Sequence, residues 1–209
     1  MAQEIPHDLT LSALKIEPSS ISTNPVLDVN GNMVGYRRNV ITLTTTTDRE
    51  LTVAESGSLI NINNSGSNEE IIVGLPTIEA GNVGTFYEFV LTGVSTGDNT
   101  RIHIRTGGNA TTINEGNRTP NYDDFIGGLN QLEATNVAAA DVQYITPSNG
   151  DGELVFDSDL PNNLAQAGTR FRCTAIAPST TTANTDVWLL EGTLIVSNGA
   201  STGEGVFVA

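Results

Sequence analysis

Residues 71–105 read IIVGLPTIEAGNVGTFYEFVLTGVSTGDNTRIHIR. Ile71-Ile72-Val73 is a short apolar run of the kind a buried strand gives. Gly74-Leu75-Pro76 stops it, because proline has no N–H to donate to a strand ladder. Gly81 and Gly84 permit a tight return, and residues 85–92 run out as a second strand with Tyr87, Phe89 and Leu91 on one face. Phe86 and Val90 make the other face partly apolar, the pattern of a strand covered on both sides. Aromatic residues are only 5% of the chain, so a strand that gathers Phe86, Tyr87 and Phe89 is expected at the centre of the core. After a turn at Gly97-Asp98-Asn99, the segment RIHIR alternates: Ile102 and Ile104 inward, Arg101, His103 and Arg105 outward.

Moving outward from this unit, turn signals arrive about every 8 to 12 residues, as a sandwich or jelly roll requires. Residues 38–47 (RNVITLTTTT) are a β-branched run and a long strand by propensity. Asp48-Arg49 turns it into a strand over 50–54, and Glu55-Ser56-Gly57 turns again into 59–63. Beyond the unit, strands are expected at 141–146, 153–156, 169–176, 185–190, 193–196 and 205–208. Residues 121–126 read as a helical turn capped by Asn121 or as an insertion at a sheet edge; 132–140 and 160–166 read as short helical stretches. Trp188 is the single tryptophan; it reads as a core plug, with a ligand platform as the other use of such a residue.

These signals predict an all-β fold: a jelly-roll-like β-sandwich over residues 39–209, with a loop-rich insertion around 107–140. Residues 1–38 look different, punctuated by Pro6, Pro18 and Pro25, with an Asn30-Gly31 hairpin signal joining Val26-Leu27 to Met33-Val34. They are expected to form an extended N-terminal arm.

Composition narrows the function. The net charge of −15 opposes phosphate backbones and anionic membranes, so neither nucleic acid nor a membrane is an expected partner. Residues 1–12 lack the basic and apolar regions of a signal peptide. The single Cys173 shares a strand face with Phe171 and Ala175, which fits a small core residue and a reducing compartment of synthesis.

Catalytic and cofactor motifs are not found in the sequence: no G-x-S-x-G, no P-loop around the only lysine, Lys15, and no H-E-x-x-H or C-x-x-C. No catalytic residue, metal or cofactor is therefore assigned. Asp151, Glu153, Asp157 and Asp159, with Asn149, gather oxygen ligands near an Asn-Gly-Asp-Gly turn; the spacing departs from an EF-hand loop and leaves cation binding open. Arg101, His103 and Arg105 have two readings. They form a positive grip for a carboxylate or a neighbour's acidic loop, or they are a solvated or internally paired sheet face.

The series LTVAESG at 51–57, IVGLP at 72–76, GTFYEFV at 84–90, AGTRF at 167–171 and VWL at 187–189 resembles the capsid decoration (cement) and head-fibre proteins of tailed bacteriophages. In that group an L-T-x-x-x-S-G turn, a strand-L-P stop, a G-x-x-Y-x-F strand and a late tryptophan strand follow in this order. The likeness covers about residues 42–198, without the 107–140 region; Leu189 stands where the group usually has an aromatic. The resemblance implies a structural virion protein on the outer face of the capsid, bridging neighbouring major capsid protein subunits. It also implies a homotrimer, assembled in the bacterial cytoplasm. The arm would act as a strap, which makes Ile5, Leu9, Leu11, Ile16, Arg37 and Arg38 candidate contact residues beside Arg101, His103 and Arg105. The alternative is a carbohydrate- or receptor-binding module of a fibre or tail, which calls for an exposed Trp188 or Tyr122.

Overall fold

The alternation in residues 71–105 becomes three of the twelve strands that the described residues form in an all-β domain. The structure, a computed structural model, describes residues 38–44, 48–64, 70–79, 81–94, 101–106, 124–133, 143–147, 152–157, 165–176, 187–196 and 207–208. The chain divides into two units, Met1–Arg37 and Arg38–Ala209, and every described residue belongs to the second. The expected arm, its hairpin, most of the 107–140 insertion and the expected turn at 160–164 lie outside the described residues.

The strands are β1 Val40–Thr44, β2 Arg49–Glu50, β3 Leu59–Asn64, β4 Glu70–Gly74, β5 Phe86–Val94, β6 Arg101–Arg105, β7 Asp124–Glu133, β8 Gln143–Ile145, β9 Glu153–Asp157, β10 Arg170–Ile176, β11 Val187–Val196 and β12 Phe207–Val208. They form a seven-stranded sheet, β1-β3-β5-β10-β11-β7-β8, and a five-stranded sheet, β12-β9-β6-β4-β2. The first six strands alternate between the sheets. Each return lays a strand parallel to the one before, β1, β3 and β5 in one sheet and β2, β4 and β6 in the other. A parallel neighbour needs a crossover, and here the second sheet supplies it. Antiparallel β10 and β9 then close against β5 and β6, and β11 pairs antiparallel with β10 but parallel with β7.

One hydrophobic core joins both sheets. The seven-stranded sheet contributes Ile60, Ile62, Tyr87, Phe89, Leu91, Phe125, Phe171, Trp188 and Leu190; the five-stranded sheet contributes Ile71, Val73, Ile102, Ile104, Leu154 and Phe156. Phe89 and Phe171 face each other in register and stack at 4.8 Å between ring centroids. Phe156 reaches across from the other sheet to Phe171 at 5.9 Å. Cys173 is buried among these groups, as expected, and burial pushes its thiol up.

Several expectations are corrected. Residues 50–54 do not continue as a strand. β2 stops at Glu50, and Val53–Glu55 makes one 3-10 turn because the Glu55 carboxylate accepts the Thr52 backbone N–H at 2.9 Å. Residues 121–126 read as a helical turn or a sheet-edge insertion and 132–140 as a helical stretch; where described, they belong instead to the strand Asp124–Glu133, pressed between β11 and β8. The pair Gly127-Gly128 explains it. A Cβ on Gly127, which sits at φ +89°, would stand 2.3 Å from Leu190 O, and one on Gly128 would stand 2.2 Å from Ile145 O. The glycines let two neighbouring backbones close in where any side chain would hold them off. Gly192 does the same in β11: a Cβ there would meet Arg170 O at 2.4 Å, so the strand runs unbroken through what reads as a turn.

Of the aromatics expected in the core, Tyr87, Phe89 and Trp188 are fully buried. Phe86 departs from that expectation. It lies on the outer face of β5, half-buried, with the Arg172 guanidinium 3.9 Å above its ring centroid.

Candidate functional site

Among the described residues each sheet carries a charged cluster on its outer face, and the two differ in exposure. On the five-stranded sheet, period-2 alternation puts Ile102 and Ile104 into the core and turns His103 and Arg105 the other way. Antiparallel pairing with β9 sets Glu153 directly opposite Arg105. Its Oε1 accepts from Arg105 Nε at 2.6 Å and lies 2.6 Å from His103 Nδ1. A carboxylate only accepts, so Nδ1 carries the proton. His103 Nε2 lies 3.0 Å from Glu70 Oε1, an approach whose direction does not make an aligned hydrogen bond. Burial pushes the Glu153 carboxyl up; the hydrogen bonds from His103 and Arg105, with their charges, outweigh it and hold the carboxyl below its ordinary range.

His103, Arg105 and Glu153 are 7%, 5% and 8% exposed. The reading of Arg101, His103 and Arg105 as a grip for a partner is therefore corrected for His103 and Arg105: they are buried and paired within the domain. Arg101 is half-buried and also engaged. Glu153, grouped by sequence with oxygen ligands for a cation, is instead committed to His103 and Arg105. Asp151 and Asp159 lie outside the described residues, and so do Ile5, Leu9, Leu11, Ile16 and Arg37. Among the described residues no three His, Cys, Asp or Glu side chains group as a metal site.

The outer face of the seven-stranded sheet is more open. Glu88 Oε2, on β5, accepts from Arg38 Nη1 at 2.7 Å and from Arg170 Nη2 at 2.8 Å; Arg38 Nε also donates to Gly57 O at 2.6 Å. Two guanidinium groups on one carboxylate, first Arg38 and then Arg170, hold the Glu88 carboxyl down at about 2 against the opposing effect of burial. A carboxyl lowered on folding stabilises the fold above its unfolded value, and that contribution is lost as pH falls through the folded value. Stability carried by Glu88 is therefore expected to fall between the ordinary carboxylate range and about pH 2. Urea midpoints from pH 5 to 2 check this: wild type should lose more than Glu88→Gln over that window, and parallel curves would count against the ion cluster.

Trp188 has no exposed surface, which removes it as a ligand platform; Tyr122 lies outside the described residues. Sequence reasoning missed the roles of Glu88 and Glu153. Neither has a local signature, because their partners are 50 residues away for both Arg38–Glu88 and His103–Glu153. No family model, no curated protein and no solved structure matches the chain.

Proposed function

We propose that the protein is a structural component of a tailed-phage virion that decorates the outer surface of the capsid and bridges neighbouring major capsid protein subunits, as a homotrimer. The observation that carries this reading is where the domain's charged chemistry goes. Arg38, Arg49, Arg105 and Arg170 each pair with a glutamate of the same domain, and Arg172 lies over Phe86. These contacts tie strand to strand and turn to sheet, as suits a part that bears load rather than one that turns over a substrate. The ordered series of motifs that resembles those of decoration and head-fibre proteins supports the same reading, and the all-β domain is compatible with it. An acidic surface has no need to meet DNA when it sits outside the shell. Such a protein works by burying area across several subunits, so its affinity is distributed over many contacts.

The test is co-sedimentation of purified protein with expanded, undecorated heads of its source phage, titrated to saturation. A fixed copy number per shell is expected. Absence of binding by folded protein would overturn the reading.

A further inference from the structure

We infer that the outer face of the seven-stranded sheet is the surface through which the domain docks on a protein partner, and that the partner presents carboxylates beside an apolar strip. The inference rests on the proposed function for the partner's identity, the capsid shell.

The two outer faces are not equivalent. On the five-stranded sheet His103, Arg105, Glu153 and Val155 are all at most 8% exposed. On the seven-stranded sheet the register aligns outward residues in rows that cross the strands. One row runs Tyr144, Asn130, Thr193, Arg170, Val90, Asn61, Thr42; the next runs Gly128, Glu191, Arg172, Glu88, Leu59, Val40. Seven strands at the usual spacing make this face roughly 30 Å wide.

Two properties of the face specify its partner. The first is charge. In a chain of net −15, the centre of this face holds three arginines, Arg38, Arg170 and Arg172, against two glutamates, Glu88 and Glu191, with Asp124 at one corner. Arg170 leaves 64% of its side chain exposed even while it donates to Glu88. The centre thus carries one net positive charge and the whole face with Asp124 is neutral, so on a chain of net −15 it is where a partner bearing carboxylates meets attraction rather than repulsion. The second property is apolar. Half of the large hydrophobic side chains that stand exposed among the described residues belong to β7 and β8: Ile126 at 41%, Leu132 at 39% and Tyr144 at 56%. Register sets Leu189 beside Ile126 and Ile195 beside Leu132, which extends the strip onto β11. The Tyr144 ring reaches along the sheet to Gly128, where a Cβ would stand 3.0 Å from its Cζ. An aromatic laid on the sheet near aliphatic groups, in one row with an exposed arginine three strands away, is the composition of a protein contact. A polyanionic nucleic acid would have no use for the aliphatic strip.

The experiment compares wild type, the double variant Arg170→Gln/Tyr144→Ala, and the control Thr77→Glu in the head co-sedimentation assay, with thermal melts to confirm folding. The double variant and the control each make the chain one charge more negative, but Thr77 lies in the exposed loop after β4. The expected result is saturable wild-type binding that weakens with salt, a loss of at least about tenfold in affinity for the double variant, and a control that binds as wild type does. Wild-type affinity in the double variant would overturn the face and leave the proposed function standing. Equal losses in the double variant and the control would also overturn it, in favour of overall charge repulsion. No binding by wild type would overturn both. Wild-type oligomers in solution that the double variant dissociates would assign the face to other copies of the chain, again overturning the inference.

Discussion

Trp188→Ala is expected to cost about 3–5 kcal/mol of folding stability, a large part of the roughly 5–15 kcal/mol that a domain usually has. Trp188 stands on β11, with Ala175 opposite it on β10 and Phe125 opposite it on β7. The small alanine leaves the space into which the indole fits, and the ring meets Tyr87 at 6.1 Å between centroids. Tyr87 is itself pinned, its hydroxyl donating to Thr52 O at 2.7 Å. Burial, and then the nearby Glu55 charge, push this phenol up, so it stays a donor throughout the accessible pH range. A cavity at 188 would open among the buried Tyr87, Phe125 and Ala175, where close packing resists collapse. Urea unfolding followed by far-ultraviolet circular dichroism checks this, because the variant loses the only tryptophan and with it the usual fluorescence probe. Trp188→Phe should cost less than the alanine. A loss below about 1 kcal/mol for Trp188→Ala would mean that the indole is not a core plug.

The sequence discloses the inward face of this sandwich well, and for a simple reason. Alternation is local, so Tyr87, Phe89 and Leu91, or Ile102 and Ile104, declare themselves within five residues of one another. Strand order is not local. Parallel and antiparallel neighbours share the same period of two, so nothing in residues 59–64 or 86–94 says that β3 and β5 run the same way. β7 was hidden because Gly127-Gly128 looks like a loop in sequence. Its glycines are instead the consequence of backbones approaching on both sides, which only the assembled sheet reveals. The charged clusters were half legible. Arg101, His103 and Arg105 were visible as a group, but whether such a group grips a partner or is neutralised at home depends on a residue 48 to 50 positions away. Arg170 and Tyr144 had no signal at all, because what distinguishes them is the face they share with residues on other strands.

Removing that distant residue is the second large effect. Glu153→Ala is expected to cost about 3–5 kcal/mol, because it leaves the Arg105 guanidinium and the His103 Nδ1–H buried without their acceptor. The cost comes from stranding the cation, not from the intrinsic strength of the pair. Desolvating both partners already offsets much of their attraction. That distinction has a measurable consequence. Glu153→Gln keeps the shape and one acceptor oxygen but removes the charge, so it should fall between wild type and Glu153→Ala. The triple replacement His103→Leu/Arg105→Met/Glu153→Leu removes the three buried groups of the cluster and leaves the half-exposed Glu70. It should recover most of the loss, to within about 1–2 kcal/mol of wild type, because no buried charge is left unpaired. Equilibrium urea curves for the four proteins at neutral pH decide the matter. If the triple variant is as unstable as Glu153→Ala, the cluster stabilises by specific attraction and the desolvation argument is wrong. If Glu153→Ala itself costs little, water reaches Arg105 and His103, and this face of the five-stranded sheet is open after all.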